Sequence, residues 1–113
     1  MKRRDEERLE DIEVAIEVIG QHLNRGDLND GLIFDAVRVR LIEIGEAVRA
    51  IDPQLLATEP NVPWHAVMSM RNRLAHHYFD TSHAILQSTI EEDIPLLARA
   101  VEKLKSRLVD SGE

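Results

Sequence analysis

Residues 29–53 read N-D-G-L-I-F-D-A-V-R-V-R-L-I-E-I-G-E-A-V-R-A-I-D-P. Ile33, Val37, Leu41, Ile44 and Val48 recur at three- and four-residue steps, widened by Ala36 and Ala47. Arginines and glutamates fill much of the space between them. This is the period of a helix with one apolar face. Asn29 and Asp30 are both good N-caps, so the helix should begin there and run to about Ile51, where Asp52-Pro53 ends it. Gly45 sits inside the run, at a cost of about 1 kcal/mol against alanine. A glycine there suggests the close approach of a second helix.

The same period extends in both directions. Upstream, from about Asp5 to Asn24, Leu9, Ile12, Ile16, Ile19 and Leu23 share a face. Asp5, Glu6 and Glu7 crowd the first turn, where the helix dipole favours acids, and Asn24-Arg25-Gly26-Asp27 reads as a stop. Downstream, residues 52–63 carry Pro53, Pro60 and Pro63 and read as an irregular connection. A third helix follows Pro63. Asp80, Thr81 and Ser82 should break it and cap a fourth, which runs from about His83 through Ile85, Leu86, Ile90, Ile94, Leu97, Val101, Leu104 and Leu108. Pro95 must kink that last helix, or divide it with Asp93 as a second cap. The tail after Leu108 is polar and expected to fray. With no convincing strand, the expected fold is all-α, a small bundle of four to five helices, the last kinked or broken near Pro95.

Composition narrows the function. A chain of 113 residues is expected to form a single domain, 1–113, burying roughly two-thirds of its unfolded surface. There is no cysteine, hence no disulfide and no thiolate chemistry. The opening M-K-R-R-D-E-E-R-L-E has no apolar run behind its basic residues, and no apolar stretch approaches the roughly 20 residues of a membrane span. A cytoplasmic protein is therefore expected. The formal net charge of -7 argues against broad nucleic-acid binding but leaves room for RNA at a locally basic site. Aromatic residues make up only 4%, too few for a stacking platform, and Trp64 reads as a core residue.

Such a locally basic stretch exists at residues 70–79, M-R-N-R-L-A-H-H-Y-F. On a helix of about 100° per residue, Val67, Met70 and Leu74 face the core, with Arg71 at the border of that stripe. Tyr78 lies seven residues beyond Arg71, and Asn72 and His76 share a neighbouring face. Arg73 should point to solvent. If the helix persists to Tyr78, then Arg71, Asn72, His76 and Tyr78 flank one groove. Arginine holds phosphate bidentately, and a histidine with an unperturbed pKa of about 6.5 suits proton transfer at neutral pH. RNA brings its own nucleophile, the 2′-hydroxyl. The bland reading is that arginine and histidine gather at a helix C-terminus because the dipole favours them; local chemistry leaves both open. His22, His65 and His83 are scattered singly and read as surface or capping residues. His76 and His77 are adjacent, and no histidine pair at a four-residue step accompanies a glutamate, so no metal site and no cofactor are expected; only His65 with an acid elsewhere stays open.

The string V-P-W-H-A-V-M-S-M-R-N-R-L-A-H-H-Y-F (62–79) resembles the hallmark of the HepT-like ribonuclease toxins, HEPN-domain proteins paired with a minimal nucleotidyltransferase antitoxin. The family pattern, R-x-x-x-x-H-x-Y, falls on Arg71, His76 and Tyr78, with the usual asparagine at Asn72. The similarity reaches upstream to L-I-E-I-G-E-A-V (41–48) and downstream to I-E-E-D-I-P-L-L (90–97), covering roughly residues 30–100. An alanine and a second histidine occupy variable positions of the motif. The resemblance implies a HEPN bundle forming a homodimer, with both motifs lining a cleft between subunits. It implies metal-independent endoribonuclease activity with Arg71 and His76 catalytic and Asn72 supporting. It also implies neutralisation by the cognate nucleotidyltransferase, through AMP transfer from ATP to Tyr78. Arg73 and His77 are further candidates for support. Glu43 and Glu46 match acids of the family's second helix; Glu46 either pairs with Arg71 and orients it, or is a solvent or dimer-surface acid. The implied partners are RNA, a second copy and the antitoxin, with no membrane and no DNA. The alternative from another class is a non-catalytic HEPN module whose groove binds a nucleotide or a partner nucleotidyltransferase.

Overall fold

The computed structural model describes residues 4–75 and 79–110. Helix α1 (Asp5–Arg25) opens with Asp5, Glu6 and Glu7 and closes with His22 and Arg25 in its last turn, matching the dipole at both ends. Its buried face is Leu9, Ile12, Ala15 and Ile19. Helix α2 (Gly31–Arg49) starts where Asp30 caps it, the carboxylate accepting a hydrogen bond from Leu32 N at 2.9 Å. The short connection folds α2 back along α1, and the apolar stripe from Ile33 to Val48 is buried as its spacing predicts.

The connection at 52–63 is more regular than its prolines suggest. Asp52 and Pro53 begin a helix instead of only ending one: Asp52 accepts from Gln54 N at 2.9 Å, Pro53 takes the first position, and α3 (Pro53–Leu56) buries Leu56. The rest of the loop is tied down through Glu59. Its carboxylate accepts from Arg107 Nη1 at 2.6 Å, and its carbonyl accepts from Trp64 Nε1 at 2.9 Å. Trp64 is half-buried against the core, as expected of a core residue.

The third helix is two short ones, α4 (Trp64–Met68) and α5 (Met70–Ala75), meeting at Ser69. Side chains draw the carbonyls of this turn aside. Ser69 Oγ donates to His65 O at 2.8 Å, Arg49 Nη2 to Met68 O at 3.0 Å, and Arg73 Nη1 to Ala66 O at 3.3 Å. Gly45 explains how α2 and α4 come so near. A Cβ at Gly45 would lie 2.5 Å from Val67 O, so only glycine fits.

Asp80, Thr81 and Ser82 are not the break and N-cap expected of them. They lie within α6 (Phe79–Ser88). Ser82 is buried and belongs to the stripe it forms with Leu86 and Thr89, so burial outweighs its preference for a cap. The chain then passes through a π turn, Thr89–Asp93, into α7 (Ile94–Asp110). Ile94 N bonds Thr89 O five residues back, because Pro95 offers no N–H and its ring would press on the carbonyl four residues before it. Asp93 therefore sits inside the turn and does not cap a new helix, and α7 stays helical two residues past Leu108. Thr89 satisfies its buried hydroxyl by donating to Ile85 O at 2.7 Å. Helix α7 lies on α1, where Lys105 Nζ reaches Glu13 Oε1 at 2.8 Å. The result is the all-α bundle expected, broken near Pro95, with one apolar cluster running from Leu9 to Leu108. Among the described residues no helix is long and apolar enough to cross a membrane.

Candidate functional site

Two constraints set α5 on α2. Gly45 lets the end of α4 settle against α2, and Met70 and Leu74 anchor α5 in the core. Arg71, one residue off the buried stripe, is thereby turned toward α2. Its Nε donates to Glu46 Oε1 at 2.7 Å. Glu46 is therefore paired with Arg71 while also facing solvent. The pair is open to solvent, the side chains being 64% and 47% exposed, so its value is orientation more than stability. The hydrogen bond from Arg71 holds the Glu46 carboxyl below its ordinary value; partial desolvation opposes this, and the charges of Arg71 and Arg49 add to it.

Binding through Nε occupies one edge of the guanidinium. The two terminal nitrogens form a second edge, the fork that takes a phosphate bidentately. Beside Arg71 lies an open cleft of about 320 Å³ between α2 and α5, lined by Arg38, Val39, Ile42, Glu43, Arg71 and Ala75. Glu43 is already paired, accepting from Arg40 Nη1 at 3.1 Å. Asn72 is exposed on α5, next to Arg71. His76, Tyr78 and His77 fall outside the described residues.

Two placements differ from expectation. Arg73 does not point freely to solvent; it is half-buried, folded back on the Ala66 carbonyl. Its charge also reaches Asp93 in the π turn, where burial pushes the carboxyl above its ordinary value, Arg73 opposes that rise and Glu92 adds to it. The reason is the break at Ser69, which frees a carbonyl for the arginine to meet. His83 is not simply a surface residue: it is half-buried, and its ring stacks on Phe34 with centroids 6.2 Å apart. The sequence reading missed Arg38, Val39 and Ile42 as neighbours of Arg71. Their spacing shows only that they lie off the buried face of α2, and which helix would come to face them is not written in that spacing.

The chain matches the Ribonuclease HepT-like family over residues 6–104. It is 36% identical over 109 residues to "Probable ribonuclease HepT" of Thermococcus cleftensis, covering 93% of this chain and 99% of that protein. It is 37% identical over 75 residues to "Putative RNase MJ1380" of Methanocaldococcus jannaschii, covering 66% of this chain and 69% of that one. No solved structure matches the chain. The chain belongs to the HepT-like ribonuclease family of HEPN proteins.

Proposed function

We propose that this protein is a metal-independent endoribonuclease, the toxin of a type VII HEPN/nucleotidyltransferase toxin–antitoxin system. The observation that carries the reading is Arg71: a permanent cation oriented by Glu46, its phosphate-binding edge unused by that bond, at the rim of an open cleft in a member of a ribonuclease family. Arg71 binds the scissile phosphate and stabilises the charge that develops on it. His76 accepts the proton of the 2′-hydroxyl as its oxygen attacks phosphorus. The bond from phosphorus to the 5′-oxygen breaks, and that oxygen takes a proton from an acid. The products are a 2′,3′-cyclic phosphate and a 5′-hydroxyl. Asn72 steadies the histidine or a phosphate oxygen.

One chain carries one His76, whereas this reaction uses a base and an acid. A homodimer with two facing motifs supplies both. The antitoxin would silence the enzyme by transferring AMP from ATP to Tyr78, with release of pyrophosphate. The added nucleotide brings bulk and negative charge to the motif, and both oppose an RNA phosphate.

The test is cleavage of total cellular RNA in excess EDTA by wild type and His76→Ala, the wild type first shown by intact mass to carry no nucleotide. Cleavage by wild type alone is expected. No cleavage by unmodified wild type would instead favour a binding module whose groove docks a nucleotide or the partner enzyme. Equal cleavage by both proteins would remove His76 from the reaction.

A further inference from the structure

The charges around the cleft do not balance in the way the motif suggests. Arg71 is compensated by Glu46 at 2.7 Å, and Glu43 by Arg40 at 3.1 Å. Each pair is close to neutral from a distance. Among the described residues lining the cleft, that leaves Arg38 as the cation without an ion-pair partner. It is half-buried, so its charge is less screened than that of a fully exposed arginine. In a chain of net charge -7, a polyanion has little reason to approach except where positive charge is left over. Val39, Ile42 and Ala75 add an apolar wall beside it.

We infer that Arg38 is a second RNA-binding residue, taking a phosphodiester next to the one held at Arg71, with a ribose or base face resting on Val39, Ile42 and Ala75. The inference rests on the ribonuclease reading of the cleft and adds the direction in which the strand leaves it, across the outer face of α2. Arg38 contacts a phosphate that does not react, so it contributes binding and not chemistry. The apolar wall presents no donor or acceptor to a base edge. The contribution is therefore independent of sequence.

The experiment measures binding of fluorescent single-stranded oligo-U and oligo-A to full-length His76→Ala protein, alone and combined with Arg38→Ala or Arg38→Lys, across a salt series. Loss of a hydrogen-bonded charge contact predicts about tenfold weaker binding for Arg38→Ala, equal for both RNAs. The slope of log affinity against log salt should flatten by about 0.7, the value of one single-strand phosphate. Arg38→Lys should restore the slope and most of the affinity, which a merely structural residue would not do. In an otherwise wild-type chain, Arg38→Ala should raise KM and leave kcat unchanged. Unchanged affinity and slope for Arg38→Ala, with wild type cleaving RNA, would overturn this inference and spare the ribonuclease reading. Failure of Arg38→Lys to restore the slope would also overturn it. Absence of RNA binding by the parent together with absence of cleavage by wild type would overturn both.

Discussion

At the scale of single residues, the most informative contact is between Arg71 and Glu46. The two residues are 25 positions apart, and no local pattern joins them. The bond predicts a titration. Because Arg71 stabilises the charged form, the folded pKa of Glu46 lies below its unfolded value. The stability it contributes is complete above the unfolded value and is lost as pH falls through the folded one. NMR titration of the Glu46 carboxyl should place its midpoint below that of an ordinary glutamate. Arg71→Ala should return it upward. A midpoint indifferent to Arg71 would mean that the pair does not persist in solution, and Glu46 would lose its place as the residue that orients Arg71.

At the scale of elements, Gly45 is the hinge of the architecture. Its Cβ position is taken by the Val67 carbonyl, a backbone atom near the end of α4, the helix that leads to the motif. Alanine would gain about 1 kcal/mol of helix propensity but meet an overpacking cost of about 1–3 kcal/mol. Gly45→Ala is therefore expected to lower stability by about 1 kcal/mol and to move α5 relative to α2. A urea melt reads the first effect. An unchanged or higher midpoint would show that α4 can retreat without cost. The long helices α1, α2 and α7 were legible because their apolar stripes repeat over several turns. The short α3, the break at Ser69 and the continuity of α6 through Ser82 were not. In each, a cap, an arginine or a buried serine outweighed local preference.

At the scale of the whole molecule, the mechanism proposed above uses an acid and a base and so predicts that two copies of the motif act together. Specific activity should fall on dilution in step with the dimer fraction followed by sedimentation. Full activity in a verified monomer would refute the shared site and require one chain to supply both proton-transfer groups.

The sequence by itself determined the class of the fold and the main helices, because periodicity is a property of neighbours along the chain, and its resemblance to a family pointed to the stretch from Arg71 to Tyr78. It also flagged Gly45 as a point of close approach, without naming what approaches. Only the tertiary structure decided that the Val67 carbonyl fills that space, that Glu46 holds Arg71, that Arg73 turns back on its own helix and that Arg38 shares the cleft. Those are contacts between residues distant in sequence. They depend on how one helix is rotated and set against another, and an amphipathic pattern determines which face is buried but not which residue lies opposite it.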